Sequence, residues 1–371
     1  MKPFWPWLAS AMLALGACSQ DAAPPPRSAA RTADDACGVG QAELWARGEL
    51  PSQARFAGVR VGGLSGIDYR RRENDYLLIS DDRGAHGGGR AYRASLDFGS
   101  GKRVAIRLLD ALALRRADGR AFAGEHESGP GTDAESIRAA ADGWVYWTNE
   151  ASGENRSGPQ LLRMRWRDGK SHPLALPPHL LPDRDRGTGP RDNRSFEGLW
   201  IGRGGEAWIG LEAPLLEDGA PPTLAEGSWT RIVRLPLGGK GGRDYLYPLE
   251  PIANQLPGRL ADNGLSELMV LPGPRFLVLE RSGSQQPDGG FRYTSRIFCA
   301  YSAGGVNAAE PVRLEKLLVA DLNALGPFDN ANFEGMTFGP RLADGRRSLV
   351  LVADNDFRDE RPTILAVIAL R

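Results

Sequence analysis

Histidine and cysteine are scarce, at four and three of 371 residues. Zinc and haem centres built from those side chains are thereby disfavoured. An excess of charge is also missing, because 46 Lys and Arg balance 46 Asp and Glu. A neutral chain lacks the long-range field of a non-specific nucleic-acid binder, so no nucleic-acid partner is expected. The apolar run at residues 4–15 is too short to span a bilayer as a permanent helix. Glycine is abundant, at 47, with 27 prolines, but it follows no period. That excludes collagen and points to many tight turns between short strands. With 41% apolar and 25% charged residues, the bulk of the chain is not disordered and buries a sizeable core, as one large or two ordinary domains.

Lys2 followed by the apolar run reads as a signal peptide over residues 1–17. It ends in Leu15-Gly16-Ala17-Cys18, which resembles the lipobox of bacterial lipoproteins. The resemblance implies cleavage before Cys18 and a thioether-linked lipid on it. Ser19 in place of Asp then implies outer-membrane anchoring within the cell envelope, on its periplasmic or surface face. Such acyl chains anchor firmly, since each buried CH₂ contributes about 0.8 kcal/mol. Residues 18–36, rich in Ala, Pro, Asp and Ser, read as a lipidated flexible tether, leaving residues 37–371 as the folded domain. Cys37 and Cys299 would then lie in an oxidising compartment, where they either pair or remain as one buried strand thiol and one tether thiol.

Self-comparison uncovers a repeat. Leu64-Ser65-Gly66-Ile67, Ala134-Glu135-Ser136-Ile137, Phe196-Glu197-Gly198-Leu199, Leu265-Ser266-Glu267-Leu268 and Phe333-Glu334-Gly335-Met336 share one pattern. Each is followed by a short apolar run ending in an acid: Asp81 or Asp82, Glu150, Glu212, Glu280 and Asp354. Further strand-like runs bounded by Gly, Asp and Pro follow in each unit. Four strands per unit, repeated radially, make a β-propeller blade. Counting favours five blades. Six is the alternative, because residues 115–131 and 182–194 have room for extra strands. The last unit ends after three strands, so a strand from the N-terminal segment is expected to close the ring.

In a blade the start of the first strand and the end of the second lie at the same end. The repeat therefore aims its carboxylates at one mouth of the ring. Crowded carboxylates repel one another unless a cation neutralises them. A calcium ion is expected there, held by Asp81, Glu135, Glu197, Glu334 and Asp354, with neighbouring asparagines adding neutral oxygens. Arg83, Arg281 and Arg358 recur beside these acids and suit an oxyanion. The same acids can instead cap turns or pair with those arginines as struts between blades. Gly63-Leu64-Ser65-Gly66 is not a nucleophile elbow, and residues 238–241 lack phosphate-loop spacing.

Ile79-Ser80-Asp81-Asp82-Arg83-Gly84, Asp133-Ala134-Glu135-Ser136-Ile137, Phe196-Glu197-Gly198-Leu199, Leu279-Glu280-Arg281 and Asn332-Phe333-Glu334-Gly335-Met336 resemble the phytase-like family, named for the esterase-like activity of phytase. The resemblance implies a secreted or surface propeller that hydrolyses phosphoric esters of small molecules. In that reading Glu150, Glu212 and Glu280 are the catalytic carboxylates, and Arg83, Arg281 and Arg358 hold the phosphoryl group. The Asp-Asp-Pro-Ala motif of calcium-dependent propeller phytases is absent; Asp81-Asp82-Arg83-Gly84 is the nearest acid pair. The alternative is a non-catalytic propeller of the cell envelope that binds an ion, a sugar or a protein through the same mouth. A monomer is expected, meeting the membrane only through its lipid.

Overall fold

The computed structural model describes residues 31–99, 101–150, 158–238, 241–304, 311–328 and 330–371. The expected signal peptide, Cys18 and the expected tether as far as residue 30 lie outside the described residues. Residues 32–371 form one unit, and it is a five-bladed β-propeller.

Blade 1 consists of Leu64–Arg70, Asp75–Ser80, Arg90–Asp97 and Ala105–Ala113. Blade 2 consists of Ala134–Ala139, Val145–Asn149, Gln160–Met164 and Lys170–Pro173. Blade 3 runs through Phe196–Ile201, Glu206–Leu211, Ser228–Pro236 and Arg243–Leu249, and blade 4 through Ala261–Leu271, Arg275–Gln285, Phe291–Tyr301 and Glu315–Asp321. Blade 5 takes Asn332–Phe338, Arg347–Asp354 and Thr363–Leu370 from the C-terminal end, and Ala42–Leu50 from the N-terminal end. Ala42–Leu50 pairs antiparallel with Thr363–Leu370 and closes the ring. The alternative of a sixth blade is excluded, because residues 115–131 and 182–194 hold only the two-residue strand Arg115–Arg116 and isolated bridges.

The core lies between blades, where the apolar face of each sheet packs on the next. Leu64, Ile67 and Leu78 of blade 1 meet Val350, Val352 and Leu365 of blade 5, all fully buried. Each such side chain contributes about 1.5–3 kcal/mol on burial. Trp147 is completely buried and donates from Nε1 to Ser171 Oγ at 3.1 Å.

The N-terminal segment is tied down before its strand begins. Ala33–Cys37 forms a short helix with a Thr32/Asp35 capping box, and Ala36 and Cys37 are buried. The last residues read as tether thus belong to the folded unit. A disulfide joins Cys37 to Cys299 across a Cα–Cα distance of 6.1 Å, linking this segment to blade 4.

The innermost strands approach so closely that blades 1, 3 and 5 leave no room for a side chain at the third repeat position, where Gly66, Gly198 and Gly335 stand. A Cβ on Gly66 would sit 2.7 Å from Glu135 O, and one on Gly335 would sit 2.8 Å from Ser65 O. Those glycines permit blade-to-blade contact, not a turn. Blade 4 alone carries a large residue at that position, Glu267, and it occupies the axis. Glu267 pairs with Arg138 at 2.8 Å and accepts from Ser136 Oγ, Leu199 N and Leu268 N. Arg138 donates in turn to the carbonyls of Ile67, Ile137 and Met336. One buried ion pair therefore touches the first strand of all five blades and plugs the channel midway.

Candidate active site

Every blade carries a bulge where its first strand meets its second. The register slips between Leu64 and Gly66, Ala134 and Ile137, Phe196 and Leu199, Leu265 and Glu267, and Phe333 and Gly335. A bulge bends the strand and re-aims one side chain. At the second repeat position stand Ser65, Glu135, Glu197, Ser266 and Glu334, and the three glutamates project into a cup of about 240 Å³ at one mouth of the ring. The ends of the second strands add Asp81, Glu150, Glu212 and Asp354 to the same cup. Arg83 and Arg281 line it as well.

The cup has two unlike halves. In one half, a carboxylate oxygen from each of Asp133, Glu135 and Glu150 lies within 4.8 Å of the others. Glu150, Glu197 and Glu212 form a second such triad, so Glu150 is common to both. Asp133 Oδ2 is buried and has no hydrogen-bond donor. Only a proton or a cation can lie between such oxygens. Ca²⁺–oxygen distances of about 2.3–2.6 Å fit a triad of that spread, and an all-oxygen donor set suits a hard cation.

In the other half the protein supplies its own cation. Arg281 donates to Glu334 Oε1 at 2.6 Å, Glu212 Oε1 at 2.9 Å and Asn332 Oδ1 at 3.0 Å. Blade 4 thus contributes a guanidinium where other blades contribute a carboxylate. Arg83 clasps the rim, from Nε to Asp133 Oδ1 at 2.8 Å and from Nη2 to Asn193 Oδ1 at 2.7 Å. Sequence reasoning offered cation site and arginine struts as alternatives; the cup contains the Arg281 strut beside two close-set carboxylate triads.

The electrostatics follow the geometry. Burial, then the neighbouring carboxylates, pushes Glu135, Glu150 and Glu197 well above the usual glutamate range. Asp81 and Asp354 are raised by burial and by other acids of the cup. Burial lifts Asp133 to about 6 against the pull of Arg83, and lifts Glu334 to about 7 against that of Arg281.

Two residues expected in the site lie elsewhere. Glu280 faces the seam between blades 3 and 4, where it accepts from Tyr247 Oη at 2.6 Å and Asn263 Nδ2 at 3.0 Å and pairs with Lys316. Arg358 points away toward Glu360 at 3.5 Å and the Gly289 carbonyl. The chain swings outward before it through Asp356 and Phe357, both in the left-handed region with φ of 50°. Of the acid pair Asp81-Asp82, only Asp81 lines the cup; Asp82 accepts from the amides of Gly84, His86 and Gly88. Asp356, read from the repeat as the companion of Asp354, lines the cup, whereas sequence reasoning missed Asp133, Asp262 and Tyr293 as site residues. Asp133 had a signal, since it directly precedes the second repeat.

The family model described as "Phytase-like: Esterase-like activity of phytase" matches residues 59–357. No curated protein matches the sequence. Among solved structures, the catalytic domain of Coprinopsis cinerea GH62 alpha-L-arabinofuranosidase is similar at 9% identity and a TM-score of 0.42, over 88% of this chain and 98% of that one. A thermostable family-43 glycoside hydrolase is similar at 10% identity and a TM-score of 0.46, over 84% and 90%. An endo-1,4-beta-xylanase from Bacteroides thetaiotaomicron VPI-5482 is similar at 10% identity and a TM-score of 0.42, over 84% and 94%.

Proposed function

The chain belongs to the phytase-like family, and from that premise we propose that it is a calcium-dependent hydrolase of phosphoric monoesters, held at the outer membrane by lipid on Cys18. The observation that carries the cation is the half-cup of Asp133, Glu135, Glu150 and Glu197, where facing carboxylates have too few donors and Asp133 Oδ2 has none. These four residues would hold Ca²⁺, which supplies charge neutralisation and a more acidic water when bound.

The protein's own groups do the rest. Arg281 and Arg83 both line the cup and bind phosphoryl oxygens as planar forks. Glu212 is held by Arg281 at 2.9 Å beside the Glu150 and Glu197 oxygens, and it orients the attacking water and takes its proton. Water oxygen bonds to phosphorus, the phosphorus–ester oxygen bond breaks, and a proton reaches the leaving alkoxide, giving alcohol and inorganic phosphate. The Arg138–Glu267 plug closes the bottom, so substrate enters and product leaves by one mouth.

The test is phosphate release from a panel of phosphomonoesters, with Ca²⁺ and with chelator. Chelator-sensitive turnover that falls by about 10²-fold or more in Glu212→Gln supports the reading, in line with the usual contribution of a general base. Calcium binding without turnover on any ester would make the cup a binding site and overturn the hydrolase assignment.

A further inference from the structure

The opposite mouth of the ring opens into a larger cavity, of about 740 Å³. That volume lies within the range of about 300–1,000 Å³ typical of small-molecule pockets. It is separate from the acidic cup, because the axis between them is blocked by Arg138 and the fully buried Glu267. Its origin is local. At the end of its first strand blade 2 carries Ala139-Ala140-Ala141, where blade 1 carries Tyr69-Arg70-Arg71 and blade 3 carries Ile201-Gly202-Arg203. Three small side chains leave a space that the neighbouring blades do not fill.

The lining has a definite chemistry. Tyr69, Tyr146 and Trp200 supply aromatic surface from three different blades. Asp68 is buried at the inner end, where it accepts from Ala139 N at 2.8 Å. Arg71 and Arg203 stand exposed at the rim, with Asp142 and Glu206 among the other lining residues. Acids and free-standing arginines are nearly balanced, because the third arginine, Arg138, is already paired with Glu267. A strongly charged ligand would meet as much repulsion as attraction there. A ligand with an apolar face and a periphery of groups that both donate and accept would satisfy all three features: aromatic planes, carboxylate acceptors and guanidinium donors.

The geometry points to a second binding site at this mouth, for a neutral saccharide, with a pyranose ring against Trp200 and Tyr69 and its hydroxyls shared between Asp68, Asp142, Arg71 and Arg203. The site is independent of the acidic cup and of the reaction assigned to it.

Saturation-transfer NMR on the whole mature protein, with methyl glycosides of glucose, galactose, mannose and N-acetylglucosamine as probes, tests it. Transfer to ring C–H protons is expected for at least one glycoside. Ala140→Leu, which fills the cavity, and Trp200→Ala, which removes a plane, should each weaken that glycoside by about tenfold or more, the scale of one lost aromatic contact. Circular dichroism and melting curves identify any variant that has failed to fold, and the other then decides. Glu150→Gln in the acidic cup should leave glycoside binding unchanged, which separates this site from the cation reading. No transfer from the wild type to any of the four glycosides, or transfer undiminished in the folded cavity variants, overturns the proposal.

Discussion

Arg138 and Glu267 show what one buried pair does at the centre of a ring. Their side chains are 2% and 0% exposed, and burial pushes Glu267 up to about 7 despite the guanidinium beside it. Removing one partner leaves the other charge buried and alone. Glu267→Gln and Arg138→Met should therefore each cost about 3–5 kcal/mol, and the double variant less than their sum. Urea unfolding of the three proteins measures this; single variants within error of wild type would show that the pair is not what joins the strands. The acids of the cup make a second residue-scale prediction, about pH. Their folded values are raised, Asp133 to about 6 and Glu334 to about 7, so the folded state holds protons that the unfolded chain releases. Their stabilising contribution is complete below the ordinary carboxylate values of about 4 and is lost as pH rises through about 7. In chelator, the protein should melt lower at about pH 8 than at about pH 5, and Ca²⁺ should raise the melting point most at the higher pH. Melting that rises with pH in chelator contradicts the donor-poor cup. Glu267 was legible as an oddity, since it breaks the Gly or Ser pattern of the third repeat position. Its partner was not legible, because Arg138 belongs to blade 2, 129 residues before Glu267 in sequence, and meets it only at the axis of the closed ring.

The recurring element is a bulged first strand, and its repetition is what made the fold readable. A motif recurring at one position in five units implies a radial arrangement, and three strands at the C-terminal end implied a fourth supplied from elsewhere. Ala42–Leu50 supplies it, and Cys37 pins that strand's approach to Cys299 of blade 4. The closure thus depends on a strand with no chain connection to its own blade except through the whole ring. With 262 residues between the cysteines, the disulfide restrains a very long loop in the unfolded state. Cys37→Ser with Cys299→Ala should lower stability by about 2–5 kcal/mol. The expected first event is release of residues 33–50, seen as faster amide exchange in that segment before the rest of the propeller. Uniform exchange across all blades would show that the ring opens as one unit and would contradict this reading. Facing was harder to read than pairing. Glu280 stands one residue before the position of Glu150 and Glu212, since it pairs with Leu265 as Asn149 and Leu211 pair with Ala134 and Phe196. Arg281 takes the acid's place, and strand alternation turns Glu280 toward Lys316 and Tyr247. The repeat alone did not show that one-residue offset, because blade 4 carries its acid and its arginine side by side as Glu280-Arg281.

At the scale of the whole molecule, formal neutrality conceals a strongly uneven distribution. Carboxylates from all five blades converge on one mouth, Asp262 of blade 4 among them, and blade 4 adds Arg281. The arginine holds Glu212 and Glu334 together at 2.9 and 2.6 Å and so occupies a place that a further cation would otherwise take. The two roles of that guanidinium, internal counter-ion and phosphate anchor, make opposite demands. Arg281→Gln keeps a polar side chain of moderate size but removes the charge. Freed of their partner, Glu212 and Glu334 join the donor-poor half, and calcium should bind about tenfold more tightly or with one more ion per chain, a gain of about 1.4 kcal/mol. Inorganic phosphate, in the presence of saturating calcium, should bind about tenfold or more weakly, since a charge-assisted fork has been lost. Calorimetric titration of both ligands into wild type and variant reads the two effects separately. A purely structural role for Arg281 predicts a different outcome: lower melting temperature, with calcium and phosphate affinities unchanged in the protein that remains folded. Weaker binding of both ligands would also contradict the division of the cup, since it would mean that Arg281 orders the carboxylates it touches instead of competing with a cation for them.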